Sequence, residues 1–168
     1  LNQICKENFV DYFISTYYTY CTAVPNIVYT HDLIAEIFSY DFEKPMWKQK
    51  KLCIENGNSF ICISKTTQQD LKKIYGIEKS YLVYNAFDPS RFEVLDDSIL
   101  KKLNLQKPYF LILPTNNDEY KNIQLVKKLL KSHPEILNRF EFVCLSEILK
   151  EFPVKTAIQI SDRQLTSL

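Results

Sequence analysis

The feature that most constrains this chain is a short, apolar, β-rich run that stops abruptly in polar residues and recurs along its length. The sharpest instance is Ile27-Val28-Tyr29-Thr30-His31-Asp32. The same shape returns at 12–16, 60–64, 81–85, 109–113 and 140–146, and a helical pattern follows most instances. Runs of this kind, rich in β-branched and aromatic residues, read as strands. Strands alternating with helical segments read as β–α units, so the expected fold class is α/β with Rossmann-like parallel sheets. Ligands of such sheets bind outside the carboxyl ends of the strands. His31 is therefore the first candidate for chemistry.

Composition removes several functions. At 46% hydrophobic and 24% charged residues the chain is globular, and its net charge of +1 offers nothing to a nucleic-acid partner. Two glycines in 168 residues leave no room for a glycine-rich phosphate loop of the dinucleotide or NTPase kind. The cysteines at 5, 21, 53, 62 and 144 form no Cys-x-x-Cys pair and read as reduced core thiols, not disulfides or zinc ligands. No run of about 18 apolar residues occurs, so no transmembrane helix is expected. The sequence lacks an initiator methionine and a signal peptide, and its final segment opens a helix. It reads as a piece of a longer, cytoplasmic protein.

Taken in order, residues 8–16 and 26–30 are strands, and 33–38 make a helical turn or loop. Residues 44–56 read as a helix with Pro45 in its first turn and Asn56-Gly57 closing it. On it Lys44, Lys48, Lys50 and Lys51 surround Trp47. That grouping reads first as a solvated face and second as a contact with an anionic bilayer on the inner face of the membrane. After the strand 59–64, Thr66 with Gln69 three residues on reads as a capping box. Leu71, Ile74 and Tyr75 form that helix's core face, and Gly76 its left-handed terminus. Residues 86–98 lack periodicity, and a linker over 89–104 is expected to divide a first domain, 1–88, from a second, 105–168. Within it, 98–103 is a short helix. A strand at 109–113 leads to an amphipathic helix through Lys131, with Ile123, Val126, Leu129 and Leu130 facing in. A last strand is expected at 156–160, followed by a helix capped by Ser161 or Asp162.

Four segments together resemble a known family. Residues 25–36, from Pro25 through Thr30-His31-Asp32-Leu33 to Glu36, are similar to the P-x-V-x-T-x-H-D-L-x-x-E segment of GT-B glycosyltransferases of the large retaining group 1 type, family four. Residues 61–71 resemble its I-x-V-S-x-x-T-x-x-D-L, and Tyr81-Leu82-Val83-Tyr84-Asn85-Ala86-Phe87-Asp88, with Phe92, its V-V-Y-N-G-x-D-x-x-x-F connection. Residues 109–113 with Tyr120-Lys121-Asn122 resemble the opening of its second domain, which ends in R-K-N. The order and spacing are family-like and cover essentially the whole chain.

The resemblance implies a GT-B fold incomplete at both ends: the later part of an acceptor domain and the start of a nucleotide-sugar donor domain. It implies retaining transfer of a sugar from a nucleotide-sugar donor to a saccharide or lipid-linked acceptor, of the surface-polysaccharide type, with no cofactor and no metal. His31 becomes the catalytic candidate, against the transferred sugar, with Asp32, Ser64 and Lys65 lining the cleft. Lys121, with Asn116 and Asn117, is expected to hold the donor diphosphate; a lysine at a helix N-terminus adds its charge to the dipole there. The family's C-terminal E-x7-E clamp lies outside this sequence. Thr115 and Pro114 stand where the family has arginine and glycine. Two other readings stay open: a non-catalytic GT-B-like binding module, and an unrelated flavodoxin-like or receiver-like domain. His133, before Pro134, reads as structural.

Overall fold

The computed structural model describes residues 1–92, 96–113 and 118–168. It is α/β and falls into two compact units, Leu1–Ala86 and Phe87–Leu168. The first contains α1 (Asn2–Glu7), β1 (Phe13–Ser15), β2 (Asn26–Thr30), α2 (Ile34–Ile37), α3 (Pro45–Glu55), β3 (Ser59–Cys62), α4 (Lys65–Tyr75) and β4 (Tyr81–Leu82). The second contains α5 (Ser98–Leu103), β5 (Tyr109–Ile112), α6 (Ile123–Ser132), β6 (Glu141–Cys144), β7 (Lys155–Thr156) and α7 (Asp162–Thr166).

Both sheets are parallel and both run in chain order, β1-β2-β3-β4 and β5-β6-β7. Crossovers of one hand between strands in sequential order place all their helices on one face. The first core follows from this. Val28, Phe60 and Cys62 point to one side and pack against Cys53 and Ile54 of α3 and Leu71 of α4. The register pairs Ile14 with Ile27 and Ile61 with both Tyr29 and Tyr81, so these residues share the opposite face. There Ile14, Tyr81 and Val83 are exposed. The second sheet is covered on both faces. Ile112, Phe142 and Cys144 meet Ile123 and Leu130 of α6, while Val143 and Ala157 meet Ile99 and Leu103 of α5.

All five cysteines are free and buried, as expected of reduced core thiols. Several local expectations shift. Ser64 caps α4, its Oγ accepting from the Thr67 amide at 3.0 Å. Thr66 is instead an exposed first-turn residue, because Ser64 leaves the strand two residues earlier than its sequence run suggests. Gly76 ends α4 at φ 68°, as expected, but Ile74 is 39% exposed. The run 81–85 keeps only two residues in the ladder, and 156–160 yields Lys155–Thr156. The 89–104 stretch carries α5, whose Ile99 and Leu103 belong to the second core. Ser161 caps α7 in a full capping box with Gln164. Lys50, expected on a solvated face, is buried.

Candidate functional site

His31 is the first residue past β2 and Asp32 the second. The Nε2 atom of His31 lies 2.8 Å from the carbonyl oxygen of Thr16, in the loop after β1. A carbonyl only accepts, so Nε2 carries the hydrogen. In the neutral ring Nδ1 is then a lone-pair acceptor, and it has no partner among the described residues. The rings of Tyr29, Tyr17 and Tyr18 surround the imidazole, with centroids 5.0, 6.0 and 6.1 Å away. The His31 carbonyl accepts from Thr67 Oγ1 in the first turn of α4 at 3.2 Å. Three elements thus fix one histidine.

Asp32 has one busy oxygen and one open one. Its Oδ1 accepts from the Ile34 amide at 3.1 Å and from the Lys50 ammonium at 3.3 Å. Its Oδ2 has no partner among the described residues, and the side chain is 47% exposed. Lys50 is 1% exposed and also donates to Glu36 Oε2 at 2.9 Å. Glu36 Oε1 in turn accepts from the Tyr75 hydroxyl at 3.0 Å. The Lys50 ammonium lies 5.1 Å from the Tyr18 ring centroid and 6.0 Å from that of Trp47. The Tyr18 hydroxyl donates to the Asp32 carbonyl at 3.2 Å and receives the Asp32 amide at 3.4 Å. Burial, reinforced by Asp32, pushes the Tyr18 phenol up; burial and Glu36 do the same to Tyr75. Both phenols stay protonated and able to donate.

The sequence reading does not join Lys50, Glu36, Tyr18 and Tyr75 to His31 and Asp32. The signal that could find Lys50 is its place on the helical stripe formed by Trp47, Lys50 and Ile54, spaced three and four residues apart. A lysine on a core stripe needs a buried partner, and Glu36 supplies it.

The other expected residues divide between the units. Ser64 sits at the end of the adjacent strand β3, but its hydroxyl is taken up by the cap and by Thr67 Oγ1 at 2.9 Å. Through Thr67 it braces His31. Lys65 is exposed at the start of α4. Lys121 belongs to the second unit. It ends a 3-10 turn, Glu119–Lys121, and Asn122 at φ 48° separates it from the first residue of α6. Its ammonium rests 4.8 Å from the Tyr120 ring centroid. Asn116 and Asn117 lie outside the described residues. His133 caps α6 at the surface, 3.1 Å from Glu135. On α3, Trp47 is half-buried and its ring packs 5.2 Å from that of Tyr40, so it faces the molecule beside Lys50.

Chemically, the strand end offers two acceptors, Nδ1 of His31 and Oδ2 of Asp32, on a rigid mount. Two carboxylates stand against one ammonium there. Hydroxyl and amino donors suit such a pair, and phosphate does not. No helix among the described residues is long and apolar enough to cross a membrane. No protein-family model matches the chain, and no curated protein matches it.

Proposed function

We propose that this chain is part of a retaining GT-B glycosyltransferase, and that its first unit receives sugar hydroxyls on His31 and Asp32. The observation that carries the reading is the acceptor pair at the carboxyl end of β2, where ligands of parallel sheets bind. Retaining transfer needs a leaving diphosphate stabilised and an oxocarbenium-like carbon held in place. His31 and Asp32 supply orientation and partial negative charge beside such a carbon. The diphosphate falls to Lys121, which is exposed and whose ammonium rests over the Tyr120 ring. The acceptor is a saccharide, free or lipid-linked, and no metal takes part.

The second reading, a saccharide-binding module without transfer, draws on the same acceptor pair, which lies entirely within Leu1–Ala86. Saturation-transfer NMR with UDP- and GDP-sugars and with methyl glycosides separates the two. For the enzyme, nucleotide sugars receive saturation on both their sugar and their nucleotide protons, His31→Ala removes the sugar signals, and Lys121→Ala removes the nucleotide signals. Sugar contacts that survive with no nucleotide binding leave the module. If neither ligand class receives saturation, both readings fall.

A further inference from the structure

Among the described residues Lys50 is the only charged residue in the buried set. Burying an ammonium is unfavourable until its partners compensate it, and a methionine of similar length would fill the same stripe position without that penalty. The lysine is therefore poorly explained as packing. Its contacts have a pattern instead. Through Glu36 it reaches α2 and, one hydrogen bond further, Tyr75 at the end of α4. Through Asp32 it reaches the turn after β2, and through the Tyr18 ring the loop after β1. That loop is itself pinned by Ser15 Oγ, which accepts from the Thr19 amide at 2.8 Å, and by Cys53 Sγ, which donates to the Thr19 carbonyl at 3.1 Å. It carries the Thr16 carbonyl that orients His31.

We propose that Lys50 is a positioning residue: its buried ammonium draws one oxygen of Asp32 inward, leaving the other in solvent, and braces the Tyr18 loop that orients His31, so that each offers a fixed acceptor to a ligand rich in hydroxyl donors. The division of labour follows from burial. Glu36, 6% exposed, neutralises Lys50 in the interior, while Asp32, 47% exposed, shares the charge and keeps an oxygen in solvent. Pre-fixing both acceptors spares the ligand the entropy of ordering them. The ligand's class rests on the saccharide reading above; the positioning role does not.

The test is the imidazole nitrogen spectrum of His31 in the intact chain, recorded near pH 8, above the ordinary histidine range of about 6.5. The wild type should show a single Nε2–H tautomer. Lys50→Met combined with Glu36→Gln removes both interior charges without stranding one. It should leave the fold intact and mix the two His31 tautomers. Asp32→Ala is the second variant: it cuts the outward arm at a half-exposed site while Lys50 keeps Glu36 and the Tyr18 ring, and it should leave the single tautomer in place. A tautomer mixture in the wild type overturns the proposal. So does a wild-type pattern in the folded double variant, even one with a lowered melting temperature, because a merely structural lysine would lower stability alone. A mixture in Asp32→Ala would place the control of His31 in Asp32 and overturn the proposal too. Titration with a methyl glycoside keeps the two ideas apart. An ordered His31 that binds no sugar removes the saccharide reading and leaves the positioning role standing.

Discussion

Gly57 and Gly76 are the only two glycines in the sequence, and they are required for opposite reasons. A Cβ on Gly57 would stand 2.6 Å from Phe60 Cζ and 2.8 Å from Val28 Cγ2, both in the first core. Gly76 has nothing within 4 Å of such an atom, but its φ of 68° is left-handed. Gly57→Ala should therefore cost about 1–3 kcal/mol through overpacking, and Gly76→Ala only about 1 kcal/mol through backbone strain. Denaturant midpoints for the two variants check the order, and a neutral Gly57→Ala would refute the close packing. This difference is half legible in the sequence. Gly76 follows a helical stripe at the place where a left-handed residue ends helices. Gly57 looks the same, after Asn56, yet its reason lies in a phenylalanine three residues on and a valine on another strand. Lys50 repeats the lesson at the candidate site, because its partners Asp32 and Glu36 are 18 and 14 residues away and only the fold brings them together.

Elements in the second unit are joined by one carboxylate. Glu141 opens β6, and its Oε2 accepts from the amides of Gln106 at 2.8 Å and Lys107 at 3.3 Å, ahead of β5. Its Oε1 meets the Lys155 ammonium on β7 at 2.9 Å. The Lys155 hydrogen bond first, then the two amides, hold this carboxyl below the ordinary glutamate value of 4.5. A depressed carboxyl favours the folded state above that value, and the contribution is lost as pH falls through the folded one. Glu141→Gln should therefore flatten the acid limb of stability in the β5-β6-β7 sheet. Amide exchange of the β6 residues at pH 5 and at two lower values measures it; equal acid loss in both proteins would count against the bridge. The elements themselves follow from apolar runs and caps, and β2 and α5 have the boundaries that their patterns suggest. Strand ends are less legible, because a ladder ends where a side chain finds other work. Ser64 turns to cap α4, and Glu141 becomes the first paired residue of β6 through the groups its side chain holds.

At the scale of the molecule, sequential strand order has a cost that no local pattern shows. It collects the crossover helices α3 and α4 of the first unit on one face, and parallel sheets are ordinarily buried on both. Ile14 at 55%, Tyr81 at 70% and Val83 at 49% exposure lie on the other face or beside it, with half-buried Ile27, Tyr29 and Ile61 between them. Contiguous apolar surface of this kind invites association, and a net charge of +1 supplies little repulsion against it. The chain should therefore bind a hydrophobic dye strongly and self-associate as concentration rises. Ile14→Thr with Val83→Thr keeps the β-propensity of both positions while removing apolar area from an edge strand and from the residue following the opposite one. Surface changes of that type alter stability by about 0.5 kcal/mol or less, so lower dye binding and a smaller sedimentation coefficient should appear without a shift in the melting midpoint. Unchanged dye binding in the double variant would place the sticky surface elsewhere and return this face to ordinary solvated sheet.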